Sequence, residues 1–583
     1  MVLRSVVRRL SGFMLAMIFA CGAASSASQK PPLADGAYAA FAERYFAWQF
    51  AIDPVNATFT GVHTYDAKLT NLSAGAFAKR NLKEHAFLEE LLGIERQSLS
   101  ARTRVDAKAL ELQMRDDLLQ NETMKLWRKQ PSMYVGFASF GVQVLISRRF
   151  APAEQRLRDV IARESAIPNL FRTARRNLAN IDGTGAEIGR GEALGLAAFL
   201  TSDVPQAFTG VRDPALRREL ARSTQRARAS ALAFAAWLKP FIAHPTGSYR
   251  VGAENYRAML RYEDDVDMPL PQYLAVGERA LRATHAQIIA VARRIDPGKS
   301  VGDVIKEVSR RHPPAARLVA VARDDLKQLR RFIIERHIIV LPPESDITVQ
   351  ETPPFERETV LAQMDAPGPL ERVSTKAYYY VTPPDPHDPP RVQEAYLEQF
   401  NDFERPLTGA HEAYPGHFVN FTIDRHLPLS LTEQLVGASV FAEGWAHYCE
   451  QMMVDEGWGN GDPRVRLFQL KWALVREARY VVGLKLHTGS MTVPQAEQFF
   501  ERYAFLDPAD ARIEAKRGTE DPLYGYYTLG KLEILKLRSD YKKKMGARFT
   551  LAGFHQALLQ YGDFPVPLIR PLILGASDDG KVL

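Results

Sequence analysis

Residues 409–421 read GAHEAYPGHFVNF and place two histidines and a glutamate close together. A His-Glu pair with a second histidine four residues on is how many zinc hydrolases set two imidazoles on one helix face, with the glutamate as general base. Here His411 and His417 are six residues apart, and Pro415 and Gly416 lie between them. At about 100° per residue, a spacing of four leaves two side chains about 40° apart and a spacing of six about 240° apart. A straight helix therefore cannot aim both imidazoles at one ion. Pro415 answers this objection, because its ring meets the carbonyl four residues back, that of His411, and it carries no N–H. The helix must bend or break there, and Gly416 supplies the freedom to re-aim the chain. Two residues looped out at Pro415-Gly416 return His417 to the face of His411, with Glu412 beside them as the base.

A tetrahedral catalytic zinc takes a third protein ligand and keeps one position open. The next candidate helix is ASVFAEGWAHYCEQMMVDEGW, residues 438–458. Glu443, His447 and Glu450 stand at i, i+4 and i+7 in it, within about 60° of one another on a helix. Such a stripe, on a segment rich in Phe, Trp, Tyr and Met, is costly to bury without partners or a metal. Glu443 is the expected third ligand of a single zinc ion. His447 and Glu450 are expected behind it, orienting the ligand histidines through their free ring nitrogens. The competing readings are a solvated His-Glu pair in the first segment and a buried ion-pair network in the second.

The elements that must position these residues read as mostly helix. Segments 38–50, 77–97, 101–122, 214–242 and 273–295 carry apolar residues at spacings of three and four with charges between them. The pattern changes near residue 345. DITVQETPPF, ETVLAQM and TKAYYYVTPP are short, β-branched or aromatic, and bounded by Pro and Gly. They predict a small β insertion at about 345–382, just before the first motif. PPDPHDPPR then predicts an extended loop, and helix returns from about Val392. The fold class expected is mainly α with this small sheet.

The chain has 583 residues, 46% hydrophobic and 25% charged, with a net charge of +7. That charge is too dilute, and too interleaved with acids, to imply nucleic-acid binding. The first 27 residues have a basic start, a short apolar run from Phe13 to Ala20 and then small residues, the pattern of a secretory signal peptide. IFAC within it reads alternatively as a lipoprotein signal with Cys21 acylated, which would be the route of membrane anchoring. The protein is therefore expected to be exported, periplasmic or envelope-anchored. After the signal come an N-terminal helical region, 31–250, and a catalytic helical region, 251–583, forming one unit. The other cysteine, Cys449, has no base and orienter around it in sequence and reads as a small buried residue, so no intrachain disulfide is expected. Nothing in the sequence signals an oligomeric state.

The stretches HEAYPGHF (411–418), EGWAHYCEQM (443–452), REARYVVGLKLHTGSMTVPQAEQFF (476–500) and YYTLGKLEILKLR (526–538), with DPVNATFTGVHTYDAKLTNLS (53–73), resemble DUF885, a bacterial family of unknown function. Its members look like relatives of helical zinc peptidases of the gluzincin kind. The resemblance implies zinc on His411, His417 and Glu443, Glu412 as base, and a large two-lobed helical cleft. The chain departs from the family pattern at Gly483, where an acidic residue is usual, at His447, where leucine or similar is usual, and upstream of HEAYPGH, where AYYYVTPP stands for a tyrosine-asparagine stretch. The function expected is hydrolysis of short peptides by exo- or oligopeptidase action, with Glu412 taking the proton of a zinc-polarised water. Tyr527, which the resemblance favours, and then Tyr526 and His487 are candidate donors to the oxyanion. Arg479 and Arg538 are candidates to hold a substrate carboxylate. The strand TKAYYYVTP is a candidate edge for an extended peptide. The alternatives are a zinc hydrolase of a non-peptide amide or ester, and a catalytically silent envelope lipoprotein that binds peptide.

Overall fold

A computed structural model describes residues 33–343, 345–352, 357 and 361–583. The signal segment and Cys21 lie outside the described residues.

The chain is mainly helical, as its periodicity predicts. The predicted segments 38–50, 214–242 and 273–295 form the helices Leu33–Ile52, Pro214–Ala243 and Leu270–Ile295. Many starts follow local chemistry. Ser73, Ser100, Asp182 and Asp213 each accept a backbone N–H at a helix N-terminus, and Ser430 with Glu433 and Thr492 with Gln495 form capping boxes. Residues 382–389, around PPDPHDPP, carry no helix or strand, and helix resumes at Pro390–Leu397.

Among the described residues, three apolar cores organise the helices. One lies among Pro131–Ser147, Ala153–Asn177, Gly183–Ala207 and Pro214–Ala243, around Tyr134, Val160, Leu200 and Phe234. A second packs Leu270–Ile295 along Pro463–His487 and includes Tyr273, Ile288, Tyr480 and Phe500. The third joins the start of the described chain to its end: Tyr45 and Leu110 share it with Leu329, Trp445, Ile534 and Phe554. The functional motifs therefore rest on a core whose members are hundreds of residues apart.

The predicted small sheet is present. Its strands are β1 (Thr348–Glu351), β2 (Ala362–Asp365) and β3 (Tyr378–Val381), in the order β1-β3-β2. β3 runs parallel to β1 and antiparallel to β2. This corrects one expectation. TKAYYYVTP forms the central strand, and both its hydrogen-bonding edges are taken, so it offers no edge to a peptide. The strand that flanks the site is β2, which among the described residues pairs on one side only.

Two helices that carry site residues cross at glycines. A Cβ on Gly530 would overlap the carbonyl oxygen of Val440, and one on Gly444 would meet the backbone of Gly530 at 2.6 Å. The Ser439–Asp455 and Tyr526–Met545 helices thus touch backbone to backbone, which sets Glu443 and Tyr527 on facing sides of one contact.

The segment DPVNATFTGVHTYD is pinned to the loop that follows β2. His63 bonds Asp66 at 3.0 Å through Nδ1 and Glu371 at 3.1 Å through Nε2, and its ring stacks on Phe150 at 3.8 Å. Burial disfavours the imidazolium, but the bonds to Asp66 and Glu371 outweigh it and raise His63 to about 9. Burial likewise opposes the Glu371 carboxylate, but bonds from His63, Ser374 and Val373 hold it at about 2. The sign follows by linkage. His63, raised above its ordinary 6.5, stabilises fully below that pH and loses its contribution as pH rises through about 9. Glu371, lowered from 4.5, contributes above that pH and loses it as pH falls through about 2. The thermal-midpoint difference between wild type and His63→Ala is therefore expected to be largest between pH 4.5 and 6.5 and to shrink as pH rises through 9. A difference that stays flat up to pH 10, an alkaline limit of about one unit above the raised value, counts against this pin.

Candidate metal centre

The first motif is two helices rather than one. Arg405–Glu412 ends at Glu412, and His417–His426 begins four residues beyond Ala413. The turn between them is tight. Gly416 donates its N–H to the Ala410 carbonyl at 2.9 Å, and a Cβ on Gly416 would overlap the carbonyl oxygen of His411. Only glycine fits this fold-back. The Trp445 indole N–H donates to the carbonyl of Pro415 at 3.1 Å, clamping the turn from the second motif's helix. Tyr414 donates its hydroxyl to the Ser345 carbonyl at 2.6 Å, which ties the turn to the strand region.

The turn brings the imidazoles together. The rings of His411 and His417 lie 4.8 Å apart and nearly perpendicular, at 89°. Glu443 reaches them from the Ser439–Asp455 helix: its Oε2 is 3.3 Å from Nε2 of His411 and 3.4 Å from Nε2 of His417. One ligand atom from each residue lies within 4.8 Å of the other two, and no other group of three or more His, Cys, Asp and Glu meets that condition among the described residues. Donor atoms about 2.0–2.2 Å from a tetrahedral zinc lie about 3.3–3.6 Å from one another, so the residues fit such an ion. Two imidazole nitrogens and a carboxylate oxygen are also a zinc-type donor set.

Behind the triad lies a layer of charge. Glu450 accepts from Nδ1 of His411 at 2.7 Å, which leaves Nε2 as the nitrogen turned toward Glu443. Arg476 completes this layer, with Nη2 at 2.9 Å from Glu450. Burial alone would raise Glu450, but the charge of Arg476 holds its carboxyl below the usual range. His447 sits further back, 3.6 Å from Glu450, fully buried. Burial, reinforced by Lys531, keeps it well below the usual imidazole range and hence neutral. Its two ring nitrogens make no hydrogen bond among the described residues. Glu450 thus stands directly against His411, whereas His447 is placed beyond it, against Glu450.

In front lies a cavity of about 1740 Å³ that reaches His411, Glu412 and Tyr527. Glu412 is partly exposed there and accepts the Met364 N–H of β2 at 3.1 Å. β2 thus runs beside the candidate base. Tyr527 is 6.4 Å from the His411 ring, measured between centroids.

The other candidates divide. Arg479 lines the cavity and is held bidentate by Glu514 at 2.6 and 2.7 Å. Tyr526 packs its ring against that of Tyr527, 4.9 Å away between centroids, and bonds Asp521 at 3.1 Å, on the side of a second cavity. Two candidates are not brought to the site. His487 is buried, bonds the Gly518 carbonyl at 2.8 Å and is lowered to about 4 by burial. Arg538 pairs with Glu456 at 3.1 Å and lies near Tyr448, outside the cavity wall. Cys449 is fully buried, and burial pushes its thiol up. Sequence reasoning missed Arg476 and Arg517. Arg476 stands three residues before Arg479 on one helix, a spacing that sets both on one face and was the available signal.

The model of DUF885, described as bacterial protein of unknown function, matches residues 54–573. The chain belongs to the DUF885 family. No curated protein matches it. Among solved structures, this DUF885 chain is similar to a candidate lipoprotein of unknown function from Shewanella oneidensis, with 26% identity and a TM-score of 0.78 over 92% of this chain and 99% of that one. It also resembles a candidate lipoprotein from Colwellia psychrerythraea, with 16% identity and a TM-score of 0.77 over 94% of this chain and 100% of that one, a likeness of fold alone. Among the described residues of the DUF885 chain, no helix is long and apolar enough to cross a membrane.

Gly416→Ala is expected to destabilise the protein by about 1–3 kcal/mol or more, because the new methyl must displace the His411 carbonyl. Chemical denaturation of the purified variant measures this, and an unchanged midpoint would mean that the fold-back tolerates a side chain.

Proposed function

We propose that this DUF885 protein is an exported zinc metallopeptidase that hydrolyses short peptides, with a centre of the gluzincin kind. The observation that carries the reading is the convergence of His411, His417 and Glu443 beside a carboxylate, Glu412, that faces a large cavity. The signal-like N-terminus, and the naming of two similar structures as candidate lipoproteins, support an envelope location, periplasmic or anchored through Cys21.

His411, His417 and Glu443 would hold the ion. Zinc, when bound, supplies Lewis-acid polarisation of water and of the amide carbonyl. Glu450 keeps the proton on Nδ1 of His411 and so presents the Nε2 lone pair. Glu412 accepts the proton of the attacking water at its carboxylate and returns it to the leaving amine. Tyr527 offers its hydroxyl to the oxygen that gains charge. β2 offers backbone groups to an extended peptide running past Glu412, and this orients the amide toward the base.

One zinc per chain is expected in the purified mature protein, and chelation should abolish peptide cleavage until zinc is restored. Glu412→Gln should keep the metal and lower turnover by about 10²–10⁴-fold. Metal-free protein, or full activity of this variant, contradicts the reading. Glu450→Gln should weaken zinc binding by about 10–100-fold while leaving the three ligands in place. Competition with a chromogenic chelator measures that change, and unaltered affinity would remove Glu450 from the orienting role.

A further inference from the structure

Three arginines surround the ring of Tyr527. The guanidinium carbons of Arg476 and Arg479 are each 5.2 Å from its centroid, and that of Arg517 is 5.9 Å away. All three line the cavity that reaches His411. Their donors are spent differently. Arg476 is committed to Glu450 and the Trp472 carbonyl. Arg479 places Nε and Nη2 on Glu514. Arg517 uses Nη2 alone, toward the Tyr526 hydroxyl at 3.2 Å and Asp521 at 3.4 Å. Its Nε and Nη1 make no hydrogen bond among the described residues, although the side chain is only 12% exposed.

A guanidinium held out of bulk water with open donors is a place where an anion gains more than it would in solution. We infer that Arg517 receives the terminal carboxylate of the substrate, making the protein a carboxy-terminal cutter of short peptides. The inference rests on the peptidase reading of the metal centre. Tyr527 is the common neighbour of His411 and Arg517, and an extended residue covers about 3.5 Å. With Tyr527 6.4 Å from His411 and 5.9 Å from Arg517, a carboxylate on Arg517 sets the bond at the triad within about three residues of the terminus. Arg476 and Arg479 are positioning residues here. Paired with their own carboxylates and lying over Tyr527, they fix its ring beside Arg517 without competing for the same acceptor.

The test is binding to the zinc-loaded Glu412→Gln protein, read by fluorescence anisotropy. The probes are a labelled, N-acylated tetrapeptide as free acid, the same peptide as its C-terminal amide, and an amide with Glu as last residue. The free acid is expected to bind at least about tenfold more tightly than either amide, as a charge-assisted pair implies. Arg517→Gln should remove the difference and Arg517→Lys should restore part of it, with thermal midpoints confirming that both variants fold. Equal binding of acid and amide overturns the inference, as does a preference that survives in folded Arg517→Gln. Binding of the Glu-ended amide as tightly as the free acid also overturns it, by showing that a side-chain carboxylate suffices. Turnover by the wild type is read separately. If no peptide is cleaved, the peptidase reading fails, and the binding comparison still decides whether Arg517 selects a terminal carboxylate.

Discussion

Gly416 lies against the carbonyl of His411, closer than any side chain permits. The rest of the centre depends on this contact. It ends one helix at Glu412 and starts the next at His417, so residues six apart in sequence present their rings 4.8 Å apart. A continuous helix would have sent them to different sides. Pro415 enforces the break by its missing donor and its ring, and the Trp445 indole holds the carbonyl left over at the turn. The residue that clamps the turn belongs to the same helix as Glu443, so the two motifs fix each other.

That mutual fixing extends through the second motif. The Ser439–Asp455 helix meets the Tyr526–Met545 helix backbone to backbone at Gly444 and Gly530. Side chains one position away, Glu443 and Lys531, then have little room to be elsewhere. The electrostatics are layered to match. Glu450 faces Arg476, and Arg479 faces Glu514. Lys531, lowered by burial, lies 3.7 Å from Glu477, which accepts from Thr284. Buried charges that alternate in sign offset one another's desolvation, while loss of one partner strands the other. His447 is the neutral spacer in this array, and burial keeps it so.

The cavity carries the same logic outward. One wall is β2, with its Met364 N–H on Glu412, and another is the cluster of arginines around Tyr527. A strand edge binds any extended backbone alike, whereas a guanidinium discriminates by charge. Under the proposed peptidase reading, the wall of fixed charge selects the substrate and the strand aligns it.

Local chemistry in the sequence was enough for the helical class, the small sheet near 345–382, the break at Pro415-Gly416 and the common face of Glu443, His447 and Glu450. Each of these follows from rotation per residue, from ring sterics or from capping, and all act within a few positions along the chain. The same periodicity could not rank members of that face. Glu443 meets the histidines, Glu450 stands behind His411, and His447 lies further back, because the crossing at Gly530 fixes how the helix is rotated against its neighbours. It also could not say that His487 and Arg538 face away, that β2 rather than β3 flanks Glu412, or that Arg476 and Arg517 line the same cavity. Those outcomes are contacts between residues tens to hundreds of positions apart. A helix wheel gives the direction in which a side chain points from its own axis; only the packing of the axes decides what it meets there.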